Sequence, residues 1–172
     1  MRSNKKNVEC SVCGRIFSEF NPYGVNPRDN ALCPNCDSLE RHRLLWLFLK
    51  AKTNLLKDNL KVLDIAPTKG ISEKIKFMPN IDYLSIDLNS PLAMRHMDIT
   101  ALNLDDNTFD FVICCHVFEH IPNDRKAMTE ILRVLKPGGW AILQVPIDIK
   151  LKRTHEGSHI TCLLYTSDAA DE

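Results

Sequence analysis

Lys61-Val-Leu-Asp-Ile-Ala66 is a short, nearly continuous apolar run that ends at an acid and a loop. Such a run suits a strand buried on both faces, and Gly70 to Met78 behind it has helical character until Pro79 stops it. Moving outward, the same alternation recurs. Ile81 to Asp87 reads as a second strand, Met94 to Ile99 as a short third, Phe109 to Cys115 as a fourth and Gly139 to Val145 as a fifth. Between the last two, Asn123 to Leu135 is amphipathic, with Ala127, Met128, Ile131, Leu132 and Leu135 on one face. Strands rich in apolar residues alternating with helices predict an α/β domain, a parallel sheet covered on both faces. Ligands of such sheets sit beyond the strands' carboxyl ends, and there the chain places Asp64, Asp87 and Asp98.

With 172 residues, 44% hydrophobic and 26% charged, the chain has material for one substantial core and a small appended module. It has no apolar run of membrane-spanning length, and its opening residues lack the apolar stretch of a secretory signal, so a cytoplasmic location is expected. Its 22 basic and 22 acidic residues cancel, but unevenly. Residues 1–60 hold 10 Lys/Arg against 6 Asp/Glu, and residues 61–172 hold 12 against 16. The basic first part suits an anionic partner, although ordinary surface variation gives the same numbers.

Seven cysteines in a chain without a signal sequence favour metal ligation over disulfides. Cys10-x2-Cys13 and Cys33-x2-Cys36, 19 residues apart, match the two knuckles of a structural zinc ribbon over residues 8–37. Gly14 and Pro34 suit the tight turns. Four thiolates close the coordination shell, so the zinc is expected to be structural, and a module this small needs the metal to fold. Reduced core cysteines or a redox pair are the competing readings. Phe17, Phe20, Pro22 and Tyr23 are expected to cover the knuckles. A connecting helix follows over residues 38–56, with Asp37 as N-cap and Glu40 as its capping-box partner. Its first turn, Glu40-Arg-His-Arg43, reads either as a solvated charged face or as part of a ligand site.

Six stretches in order carry a resemblance: Val62-Leu-Asp64-Ile-Ala66, Ser85-Ile-Asp87-Leu88, Asp98-Ile99, Phe109-Asp110-Phe-Val, His116-Val-Phe-Glu119-His120 and Leu132-Arg-Val-Leu-Lys-Pro-Gly138-Gly139. Together they resemble class I S-adenosylmethionine (SAM)-dependent methyltransferases, of the kind called methyltransferase type 11, over residues 61 to about 148. With Ser38-Leu-Glu-Arg-His-Arg43 after the ribbon, the whole chain also resembles a group of bacterial zinc-ribbon methyltransferases. The resemblance implies a Rossmann-like fold with SAM as cofactor. It places Asp87 at the ribose, counts Leu88 among the cofactor-binding residues, and sets Asp98 and Ile99 beside the adenine. Asp64, Ala66 and the loop through Gly70 would hold the methionine portion, with Cys115 and His116 on the far wall. One of Arg41, His42 and Arg43 is expected over the methionine end.

The family loop reads Asp-x-Gly-x-Gly-x-Gly, and here Ala66 and Thr68 replace two of the glycines. Two function classes therefore stand: a methyltransferase acting on RNA or a small molecule, and a non-catalytic SAM-binding or interaction protein with a structural zinc ribbon. No catalytic residue is assigned. His116 and His120 have the chemistry to accept a proton, and equally that of structural histidines. The α/β domain is expected to span 61–161 and to be truncated, five strands being legible where the resembled fold has seven. Residues 162–172 resemble translated library-adapter sequence and read as a non-native tail. Without that tail's three acids, the remainder holds 22 bases against 19 acids.

Overall fold

The computed structural model describes residues 7–147. The expectations for the end of the α/β domain and for the tail at 162–172 lie outside the described residues. The chain divides into two compact units, one comprising the residues up to Leu60 together with Thr68–Asp82, the other Lys61–Pro67 together with the residues from Tyr83 onward. No helix among the described residues is long and apolar enough to cross a membrane.

The first unit opens with two small antiparallel hairpins, β1 (Val8–Glu9) with β2 (Ile16–Phe17), and β3 (Asn21–Tyr23) with β4 (Arg28–Leu32). Helix α1 (Glu40–Lys52) follows, and α2 (Lys69–Lys76) packs against it. Leu45, Trp46 and Leu49 of α1 are buried, as are Ile71 and Ile75 of α2, whereas Leu44, Leu47 and Phe48 are exposed. The apolar character of α1 runs around the helix, so sequence alone did not mark which side is covered.

Asp37 is not the N-cap of α1. Leu39 occupies that position, and its backbone N–H donates to His42 Nδ1 at 3.2 Å. Asp37 instead adopts φ 57°, and its N–H donates to Cys33 O, closing the second knuckle as Gly14, at φ 73°, closes the first on Cys10 O. The helix start is displaced because the metal turn has first claim on Asp37.

The second unit is built on a five-stranded sheet in the order β7-β6-β5-β8-β9, comprising β5 (Leu60–Ile65), β6 (Ile81–Asp87), β7 (Arg95–His96), β8 (Phe109–Cys115) and β9 (Leu135–Gln144). The pairings β5–β8, β8–β9 and β6–β7 are parallel. Helix α3 (Asp124–Val134) packs Ala127, Ile131 and Val134 onto one face, against Leu63, Ile65, Ile86, Val112 and Cys114. The intervening residues Val62, Phe111 and Ile113 are buried on the opposite side, where Phe111 stacks on Trp140 with ring centroids 3.7 Å apart.

Three sequence expectations shift. Met128 and Leu132 are 43% and 73% exposed, since the face running through Ala127, Ile131 and Val134 turns them outward. The third strand shrinks to Arg95–His96, and the fifth begins early, Leu135 pairing with Phe109 before an irregularity that resumes at Trp140 opposite Phe111.

Candidate functional site

The four ribbon cysteines converge. Their sulfurs lie within 4.8 Å of one another, with Cys10 Sγ 3.7 Å from Cys36 Sγ and Cys13 Sγ 3.8 Å from Cys33 Sγ. A tetrahedron built on Zn–S bonds of about 2.3 Å has edges of about 3.8 Å, so the spacing fits a zinc ion. Four thiolates this close repel one another, so a cation is needed for them to coexist. Ser38, buried and not singled out by the sequence, sets its hydroxyl 3.2 Å from both Cys10 Sγ and Cys36 Sγ.

Around this centre, Arg43 donates to Ala31 O and Ser38 O at 2.8 and 2.7 Å and lies over the Phe20 ring. Its guanidinium thus braces the ribbon. His42 is buried, and its Nδ1 accepts the Leu39 N–H at the start of α1. Gly70 lies in α2, where a Cβ would come 2.9 Å from Cys36 O and 3.3 Å from Cys36 Sγ. Its missing side chain serves the approach of the helix to the second knuckle. Lys69 adds an ion pair to Asp37 at 2.7 Å on the exposed side of the same contact.

In the second unit, the acids at the carboxyl ends of the strands take distinct roles. Asp64, on β5, is 3% exposed and accepts from the Tyr83 hydroxyl at 2.6 Å. Burial pushes its carboxyl up to about 7, with the Tyr83 bond opposing. Ala66 follows in the left-handed region at φ 57°, its N–H on Ile86 O. The chain therefore keeps, with an alanine, the backbone form a glycine would take freely.

Asp87 ends β6, and its Oδ1 accepts from Asn89 N and Ser90 N at 2.8 and 2.7 Å, fixing the turn that presents exposed Leu88. Asp98 Oδ1 accepts from Thr100 N and the Thr100 hydroxyl, and these bonds hold its carboxyl below the usual range. Ile99 is buried in the α3 core cluster. Cys115 ends β8, buried, and His116 follows at φ 57° with Nδ1 3.1 Å from Glu119 Oε1.

These are the acids and strand ends that a nucleoside-bearing cofactor meets in a parallel sheet. Residues 62–143 match the family model described as methyltransferase domain. Those residues are similar to that family.

The chain is similar to a protein of uncharacterised function from Methanocaldococcus jannaschii, 37% identical over 105 residues that cover 58% of this chain and 45% of the relative. It is also similar to a demethylmenaquinone methyltransferase from Renibacterium salmoninarum, 32% identical over 94 residues that cover 48% of this chain and 40% of the relative. The chain thus spans less than half the length of both curated relatives. In fold it is similar to the crystal structure of the [4+2]-cyclase SpnF, with TM-score 0.51 and 22% identity over 58% of this chain and 42% of that one.

Sequence reasoning missed Tyr83, Ser38 and Gln144. Tyr83 acts on Asp64 across the sheet and carries no local signal, while Ser38 sits next to the second cysteine pair but nothing in its type marks the bond to distant Cys10. Gln144 reads simply as a strand residue until its side chain is seen to be buried in part at the end of β9.

Proposed function

We propose that this chain is the cofactor-binding part of a SAM-dependent methyltransferase carrying a structural zinc ion on Cys10, Cys13, Cys33 and Cys36. The observation that carries the reading is the left-handed turn at Ala66 beside the β6 end at Asp87, within the sheet order β7-β6-β5-β8-β9. Asp87 is assigned to the ribose hydroxyls and Leu88 to the adenine edge, with Asp98 and Ile99 on the other side of the base. The Ala66 backbone faces the methionine portion, and Cys115 and His116 form the far wall. Asp64 supports that turn from inside, through its bond to Tyr83. When bound, SAM supplies an electrophilic methyl group on a sulfonium. The protein's own task is to align a nucleophile with it and exclude water.

RNA and small molecules remain the two acceptor classes, the basic balance of residues 1–60 supporting the first. The second reading, a SAM-binding protein without methyl transfer, is favoured by one feature, the alanine in a glycine's conformation at 66. Titration calorimetry with SAM, followed by transfer of labelled methyl to total RNA and to a metabolite extract, tests both. Binding with transfer supports the enzyme. Binding without transfer supports the second reading, and no heat at millimolar SAM removes both in favour of an interaction protein with a structural zinc ribbon.

A further inference from the structure

At the carboxyl ends of β8 and β9 the chain buries three polar atoms that find no hydrogen-bond partner among the described residues: His116 Nε2, Glu119 Oε2 and Gln144 Oε1. They belong to one neighbourhood. Cys115 is the register partner of Gln144, and the His116 N–H donates to Gln144 O at 2.8 Å, which ties the residue after β8 to the end of β9. Glu119, in the 3₁₀ turn Phe118–His120, places Oε1 3.1 Å from His116 Nδ1, and both side chains are only 15% exposed. His116 also holds φ 57°, a strained conformation for an L-residue and one that clusters at functional sites.

The chemistry of the three atoms is uniform. With the Glu119 carboxylate accepting, the shared proton sits on Nδ1, which leaves Nε2 as a bare lone pair. Glu119 Oε2 and Gln144 Oε1 are acceptors too. A buried polar group without a partner is costly, so three unsatisfied acceptors at these neighbouring strand ends call for a hydrogen-bond donor.

We propose that His116, positioned by Glu119 and flanked by Gln144, receives the O–H or N–H group of the methyl acceptor and takes its proton on Nε2. The inference rests on the methyltransferase reading above. In the transfer, the acceptor atom keeps the electron pair of its bond to hydrogen and uses it to bond the methyl carbon. The proton goes to Nε2, and the pair of the broken carbon–sulfur bond stays on sulfur, which passes from sulfonium to thioether. Glu119 is a positioning residue, acting through the tautomer of the ring.

The test is nitrogen-15 NMR of the histidine-labelled full chain, with phenol and methylamine as minimal O–H and N–H donors, and SAM calorimetry alongside. The neutral ring is expected to carry its proton on Nδ1; Glu119→Asp keeps that preference and Glu119→Gln loses it. One or both donors should shift Nε2 in a saturable way, with Gln144→Leu weakening the effect about tenfold, the worth of one hydrogen bond. A ring protonated on Nε2 in the wild type, or no saturable shift because water alone fills the site, overturns the proposal. If SAM binds while either result is found, only this inference falls. If SAM fails to bind, the methyltransferase reading falls separately, and the NMR results still judge the donor site.

Discussion

The Tyr83 hydroxyl donates to Asp64 Oδ2 at 2.6 Å, and the carboxyl it reaches is 3% exposed. Burial raises the Asp64 carboxyl to about 7, above the value of about 3.9 it has in an unfolded chain. The folded state therefore binds the extra proton between these values. The stability this contributes is complete below about pH 4 and is lost as pH rises through about 7, a difference on the order of 4 kcal/mol. Urea midpoints should thus fall between about pH 5 and about pH 8, and Asp64→Asn should flatten that slope. A slope unchanged in the variant would show that other groups set it.

Purified protein should carry one zinc ion, held by Cys10, Cys13, Cys33 and Cys36. Chelation should lower the melting temperature, because a module of this size has little core of its own. Elemental analysis near zero, equal in the wild type and the four-serine variant, would remove the metal.

Gly70→Ala forces a Cβ to 2.9 Å from the backbone oxygen of Cys36, which cannot rotate away. Overpacking of about 1–3 kcal/mol should outweigh the better helix propensity of alanine and weaken zinc retention as well. Competition with a chromophoric chelator measures it, and unchanged zinc affinity with unchanged stability would mean that α2 moves aside freely.

Ala66→Gly relieves the strain of φ 57° at the turn after β5. Net of the greater freedom of glycine when unfolded, stability should rise by about 0.5–1 kcal/mol, and SAM affinity should hold or improve. A destabilised variant would show that the alanine methyl is packed to advantage.

Asp87→Ala should cost SAM binding about 1–3 kcal/mol by removing charged hydrogen bonds to the ribose. The same change releases the Asn89 and Ser90 amides that Oδ1 now holds, so Asp87→Asn, which keeps one acceptor, should lose less. Calorimetry on both variants separates the two effects, and equal affinity in Asp87→Ala and the wild type would move the ribose elsewhere.

Much of this was legible along the chain because it is written locally. The paired cysteines carry their own spacing. The apolar runs at 61–66, 81–87 and 109–115 became β5, β6 and β8 in a parallel sheet, since continuous burial on both faces leaves a continuous apolar record. The register of β9 was not legible, because an irregularity between Phe109 and Phe111 lets Leu135 join the ladder ahead of the glycines.

The sequence by itself determined the main element types, the pairing of the four cysteines that cluster and the acids at the strand ends. Each depends on residues within a few positions of one another, where backbone geometry fixes the spacing. Only the tertiary structure decided that Asp37 closes a knuckle instead of capping a helix, that Gly70 makes room for Cys36, that Tyr83 meets Asp64, and that His116, Glu119 and Gln144 leave three acceptors buried together. Those relations join residues far apart in the chain, or depend on which atoms lose contact with water, and a linear pattern records neither.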